Sequence, residues 1–171
     1  PPHYLAYPYL YIIAGVSACI LTLLSVLIAL KVFPKIGLLD NPKKYGLKRK
    51  PIPYPGGILL YLIFLILTLM FFEPTTKLIG LLVGGALLVM VSFIDDRWEL
   101  PALFRLSIQI IVGIIMVIVG VGIETITNPF GGHIAFNQIQ ITVNWPIVFS
   151  FMLLSALFTI FWIVLVVNTM N

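Results

Sequence analysis

The sequence predicts an all-α polytopic membrane protein with about five transmembrane helices, at ~20 apolar residues per span, and a small external β-hairpin. Three observations carry this. Of the 171 residues, 61% are hydrophobic and only 9% charged, with a mean hydropathy of +1.14; soluble domains run near about 45–50% apolar and ~25% charged. Long apolar runs recur along the whole chain and leave no stretch long or mixed enough for a soluble domain. One segment, 122–145, breaks the pattern with strand-like alternation.

Composition also excludes several roles. The net charge of +4 does not point to nucleic acid, because the basic residues gather in one loop with few aromatics among them. A basic loop beside a bilayer meets anionic headgroups or phosphorylated substrates instead. Cys19 is the single cysteine, so no internal disulfide forms, and its apolar surroundings point to packing. The first residues, PPHYLAYPYL, have neither the basic flank nor the small-residue cleavage site of a signal peptide.

The first span is expected at 9–30. Tyr4, Tyr7, Tyr9 and Tyr11 crowd its start, as an interfacial aromatic belt does, and Lys31 and Lys35 close it. The loop 31–57 follows, with prolines and glycines that forbid a long helix. A second, shorter span at 58–72 ends at Glu73-Pro74. The third, 78–94, carries Gly80, Gly84 and Gly85, a small-residue face for close helix packing. The fourth runs over 102–121, with Arg105 one turn in and able to snorkel to the interface. In 122–145, Ile139, Ile141 and Val143 alternate with polar residues, and Asn128-Pro129-Phe130-Gly131-Gly132 is a turn signal. The fifth span, 146–167, is entered through Trp145.

Orientation follows from the basic residues. Lys31, Lys35, Lys43, Lys44, Lys48, Arg49 and Lys50 are seven of the ten Lys and Arg. The positive-inside rule puts their loop in the cytoplasm, together with the Asp95-Asp96 turn flanked by Arg97 and Arg105. The N-terminus and the hairpin then lie outside. Three polar clusters are expected at the cytoplasmic face: the basic Pro/Gly loop, Asp95-Asp96, and Asn168 with Asn171.

Each cluster has a chemistry and an ordinary alternative. Asp95 and Asp96 are two of only six acids, and acids at the end of a span are candidate functional groups. One could ligate a hard cation such as Mg²⁺, with the other as base or support. If the helix continues through them they point ~100° apart; the alternative role is a solvated helix end. Lys48-Arg49-Lys50, followed by Gly56-Gly57, could hold a diphosphate or a lipid phosphate on side-chain charge and backbone N–H groups, or could simply be topogenic charge. Asn168 and Asn171 share a helical face and offer amides to a base or sugar, or cap the helix. His3 and His133 lack partners at ligand spacing and are expected in surface or turn roles.

Asp40-x-Pro42, then Pro53, then Gly56-Gly57 resembles the first cytoplasmic motif of the polyprenyl-phosphate N-acetylhexosamine-1-phosphate transferases (glycosyltransferase family 4). That family includes the undecaprenyl-phosphate GlcNAc-1-phosphate transferases and the phospho-N-acetylmuramoyl-pentapeptide transferases. Asp95-Asp96, with Leu100, Arg105 and Gln109, resembles its second motif, with Arg105 where a Lys is common. Asn168-Thr169-Met170-Asn171 is similar to the opening of its third. One departure is Lys48, which stands where the family's first motif often has a His. The chain also stops at Asn171, before the Asp-Gly-x-Asp-Gly acids and the later His-containing loop. The resemblance therefore implies the N-terminal half of a fold of about ten spans of ~20 residues each, inactive as this chain alone.

What the resemblance implies is a bacterial inner-membrane, multi-pass enzyme using Mg²⁺ or Mn²⁺. It would move a HexNAc-1-phosphate from a UDP-N-acetyl amino sugar to a polyprenyl phosphate for cell-wall or surface-glycan synthesis, with lipopolysaccharide and peptidoglycan as the settings. Asp95 and Asp96 are then the catalytic and metal-organising residues. Lys48, Arg49, Lys50, Gly56 and Gly57 hold anionic substrate, and Asn168 and Asn171 hold the nucleotide. The first loop leans towards the UDP-N-acetylglucosamine branch, and a homodimer stays open. The alternative function is a non-catalytic membrane scaffold or lipid-binding half-protein. A transporter is disfavoured, because mid-span polar residues are limited to Ser and Thr such as Ser17, Thr22 and Ser25.

Overall fold

The computed structural model describes residues 8–40, 42, 46, 48–53, 56–143 and 149–169. His3, Tyr4, Tyr7, Trp145 and Asn171 lie outside the described residues. The described chain is mostly helical: α1 (Pro8–Val32), α2 (Gly56–Phe71), α3 (Thr76–Trp98), α4 (Ala102–Ile118) and α5 (Leu153–Thr169), with four short strands between α4 and α5. Two helices, Tyr9–Val32 and Thr76–Trp98, are long and apolar enough to cross a membrane; α2, α4 and α5 are apolar but shorter. The chain divides into two compact units, 1–74 and 75–171.

In the first unit α1 packs on α2, and most of the apolar surface of both stays exposed, as at Ile12, Leu23, Ile28 and Met70. Helices that are apolar all round belong in a core or in lipid. Lys31 stands in the last turn of α1, where a cation complements the helix dipole. The segment between α1 and α2 folds back on itself through one antiparallel bridge, Leu39 with Pro53. α2 begins at Gly56 rather than at 58, so Gly56 and Gly57 form its first turn instead of a loop.

In the second unit α4 lies between α3 and α5 and packs on both. Thr75 caps α3: its Oγ1 accepts the Leu78 N–H at 3.2 Å, satisfying one of the free donors of the first turn. α3 does not end at Ile94 but runs through Asp95 and Asp96 to Trp98. It stops at Glu99, a left-handed residue (φ 49°) whose N–H closes on the Asp95 carbonyl at 2.8 Å. Pro101 then disfavours helix at the residue before it.

The small residues expected on α3 do bring helices together. A Cβ on Gly80 would stand 2.6 Å from Val119 Cγ2, and one on Gly84 3.0 Å from Val112 Cγ1. α4 presents Gln109, Val112, Gly113 and Met116 as its buried face, the i, i+3, i+4, i+7 spacing of one helical stripe. Gly113 lets α5 approach so closely that a Cβ there would lie 3.1 Å from Ile160 Cα.

The single hairpin expected over 122–145 is two. β1 (Thr125–Thr127) pairs with β2 (His133–Ala135), in register Ile126 with Ile134, around the expected turn. There Asn128 Oδ1 accepts the Phe130 N–H, and Gly131 and Gly132 supply positive φ. His133 is an exposed strand residue. β3 (Gln140–Val143) pairs with β4 (Phe149–Met152). Residues 149–152, expected to be helix, are thus strand, and α5 starts at Leu153. Thr159 ties these parts to α5: its Oγ1 accepts the Ile123 N–H at 2.9 Å and donates to the Ser155 carbonyl at 2.6 Å.

Candidate functional site

The two units each hold sequence-predicted site residues. In the first unit the organiser is Asp40, which the sequence marks only as the start of a family pattern. Its N–H donates to the Ile52 carbonyl at 2.9 Å and its Oδ1 accepts the Ile52 N–H at 2.7 Å. Its Oδ2 is ion-paired with Arg49. The Ile52 N–H is the largest cause holding the Asp40 carboxyl below the ordinary carboxylate range; desolvation opposes it, and the Arg49 guanidinium adds to the lowering. Pro42 of the same motif is fully buried. Arg49 is therefore spent on fastening the loop. Lys48 and Lys50 are exposed and make no ion pair among the described residues. Nothing lies within 4 Å of a Cβ placed on Gly56 or Gly57, so crowding does not explain glycine at either position.

In the second unit the last turn of α3, the first turns of α4 and the end of α5 meet. Because α3 continues through both acids, Asp95 and Asp96 leave it ~100° apart and have different surroundings. Asp95 is largely buried, with 14% of its side chain exposed. Its Oδ1 accepts the Leu100 N–H at 2.8 Å and its Oδ2 accepts Arg105 Nη1 at 2.7 Å. The α3–α4 turn is short enough for this ion pair to close across it. Arg105, one turn into α4, reaches back to the end of α3 to pair with Asp95. Asp96 is exposed, and its carboxylate has no hydrogen bond or ion pair among the described residues. Arg97 lies over the Trp98 ring, 5.6 Å from its centroid, a cation–π contact.

One helical turn beyond Arg105, Gln109 reaches α5. Asn168 Nδ2 donates to Gln109 Oε1 at 2.6 Å and to the Val164 carbonyl at 2.8 Å. Gln109 Nε2 faces Asn168 Oδ1 at 3.5 Å. Beside this row is a groove of about 320 Å³ between α3, α4 and α5. Leu88, Val89, Val91, Ile108, Val166 and Val167 line its apolar part, and Ser92, Asp95, Arg105 and Gln109 its polar part. Such a groove suits a ligand with a hydrocarbon body and an anionic end. The structure thus brings Asp95, Arg105, Gln109 and Asn168 into one polar row and leaves Asp96 open beside it. The sequence names Gln109 only as part of the second motif and gives it no contact; as an amide inside the fourth span, with i+4 spacing from Arg105, it carried the signal for one.

Asp96 is the residue in this unit best suited to a hard divalent cation, being an accessible oxygen ligand with its valence unspent. Asp95, with a hydrogen bond already on each oxygen, has less to offer a cation. No cluster of three or more His, Cys, Asp or Glu in ligating proximity occurs among the described residues.

Comparison with known proteins places the second unit. The sequence profile described as Glycosyl transferase family 4 matches residues 78–171. The chain is 28% identical over 129 residues to the decaprenyl-phosphate N-acetylglucosaminephosphotransferase of Mycobacterium tuberculosis (strain CDC 1551 / Oshkosh), covering 70% of this chain and 32% of that protein. It is 28% identical over 142 residues to the undecaprenyl-phosphate alpha-N-acetylglucosaminyl 1-phosphate transferase of Escherichia coli (strain K12), covering 75% and 38%. The matched regions make up about a third of the length of these curated relatives. No solved structure matches. The profile takes in the Asp95-Asp96 acids, Arg105, Gln109 and Asn168 together, over more than half of the chain, and the chain belongs to glycosyl transferase family 4.

Proposed function

We propose that the protein carrying this chain is a multi-pass bacterial inner-membrane enzyme. It transfers N-acetylhexosamine 1-phosphate from a UDP-sugar, with UDP-N-acetylglucosamine the favoured donor, to a polyprenyl phosphate. An oxygen of the lipid phosphate attacks the β-phosphorus of the donor. The new P–O bond forms as the bond from that phosphorus to the bridging oxygen breaks, and UMP leaves. The observation that carries the reading is the polar row Asp95–Arg105 and Gln109–Asn168, set at the edge of an apolar groove.

Phosphoryl transfer asks a protein mostly for positioning and for neutralisation of charge. Arg105 is the cation of the row, with a planar fork matched to phosphate oxygens. Asp96 is the open carboxylate, for organising Mg²⁺ (or Mn²⁺) or for taking the lipid phosphate proton. A bound divalent ion supplies charge neutralisation on the donor's diphosphate. Asp95 holds Arg105 and the Leu100 N–H in place. The apolar groove takes the first isoprene units of the acceptor, and Asn168 meets the nucleotide sugar. In the first unit, Lys48 and Lys50 are the cations left for anionic lipid or substrate, since Arg49 is held by Asp40.

The test is turnover in the full-length protein, with polyprenyl phosphate and a panel of UDP-N-acetyl amino sugars, following UMP and the lipid diphosphate sugar together. The expected result is stoichiometric UMP and lipid-linked product, abolished by chelation and restored by Mg²⁺. No lipid-linked product from any donor overturns the proposal and leaves a lipid-binding scaffold.

A further inference from the structure

Gln109 is 5% exposed, in a stripe otherwise made of Val112, Gly113 and Met116. A buried amide costs free energy unless it is hydrogen-bonded, and a methionine would fill the same volume without that cost. Its hydrogen bonds run to one residue, Asn168. Their direction is fixed by chemistry. The Val164 carbonyl can only accept, so the Asn168 atom 2.8 Å from it is the NH₂ nitrogen. The Gln109 atom 2.6 Å from that nitrogen is then its oxygen. Both amide hydrogens of Asn168 are committed, one to its own helix and one to α4. Asn168 is itself exposed. What it has left for a ligand is Oδ1, whose contact with Gln109 Nε2, at 3.5 Å, is at the outer limit of a hydrogen bond.

We infer that Gln109 is a positioning residue: it fixes the orientation of the Asn168 amide and leaves a lone pair of Oδ1 free, so that Asn168 takes a hydrogen-bond donor of the nucleotide sugar, such as the uracil imide N–H or a hydroxyl. This rests on the reading that Asn168 meets the sugar nucleotide. The influence of Gln109 on the nucleotide sugar passes through the Asn168 side chain. Without it the Asn168 amide is free to turn, and a ligand must pay for ordering it. The loss then falls first on binding of the nucleotide sugar.

The experiment compares Gln109→Met, Asn168→Ala and the double variant in the full-length protein. It measures the Kd for UDP-N-acetylglucosamine by ligand-induced thermal shift, and KM and kcat where turnover is present. Gln109→Met is expected to weaken UDP-sugar binding about tenfold, and to raise KM for the UDP-sugar more than KM for polyprenyl phosphate. The double variant is expected to be no worse than Asn168→Ala alone, because a residue acting through another adds nothing once that one is gone. Gln109→Asn keeps a buried amide but falls one methylene short of Asn168. It guards against a folding defect in the methionine variant and is expected to show the same loss. Wild-type affinity in both Gln109 variants, or losses that add in the double variant, overturns the inference while the proposed function stands. A wild-type protein that binds no UDP-sugar overturns both.

Discussion

Asp95 and Asp96 are neighbours in sequence with separate duties in space. Asp95 has both oxygens engaged, by the Leu100 N–H and by Arg105, whereas Asp96 is open. Arg105→Gln therefore leaves a largely buried carboxylate without its counter-charge. It is expected to cost about 1 kcal/mol, Arg105 being a third exposed, with Arg105→Lys recovering most of it; thermal unfolding in detergent micelles measures both. Asp40 gives a pH prediction. Its folded pKa is depressed by the Ile52 N–H and by Arg49, so its contribution is complete above the ordinary carboxylate range and is lost as pH falls through the depressed value. The protection factor of the Ile52 amide is expected to hold down through the ordinary aspartate range and to fall only below it; in Asp40→Asn it is low at every pH. At this scale the sequence made the acid pair conspicuous through the scarcity of other charges. It could not reveal which acid was engaged, because that depends on a side chain ten residues away folding back across a turn.

The second unit is organised by α4, whose one buried stripe serves two neighbours. Gly113 brings the α5 backbone within reach and Gln109 fastens it. Gly113→Val would meet Ile160 at its Cγ1, 3.0 Å from the new Cβ, and at its backbone Cα, 3.1 Å away, and the backbone cannot turn aside. The substitution is expected to lower stability by about 1–3 kcal/mol. Gly15→Ala on α1, where nothing lies within 4 Å, is expected to be neutral or to stabilise by up to about 1 kcal/mol. Thermal unfolding of the two variants side by side checks the contrast. Helix existence was legible here, and so was the glycine contact face of α3. Two boundaries were not. Residues 149–152 are an apolar run, and such a run reads equally as helix or strand until its partner is known; β3 is that partner. α3 outlasts its apolar stretch because its last turn is charged, Asp95 paired with Arg105 and Asp96 and Arg97 exposed, and the left-handed Glu99 closes it.

At the scale of the molecule, the exposed leucines, isoleucines and phenylalanines of α1 to α5 form far more apolar surface than water tolerates, which agrees with the hydropathy of the chain. Sidedness remains a reading of the basic residues. It is checked by thiol labelling of a Cys19→Ser background with single cysteines at Lys48, at Trp98 and at Phe130. Lys48 and Trp98 are expected to react from the cytoplasmic side and Phe130, at the hairpin tip and 97% exposed, from outside. Family membership was legible from the order of three short motifs; what each motif residue holds came only with the coordinates.

The most direct measurement is UMP release by the full-length protein with Asp96 changed to Asn, in saturating Mg²⁺, polyprenyl phosphate and UDP-N-acetylglucosamine. The account predicts a fall of at least about a hundredfold with the unfolding temperature unchanged, because Asp96 supports no other residue among those described. Wild-type turnover in Asp96→Asn would contradict it.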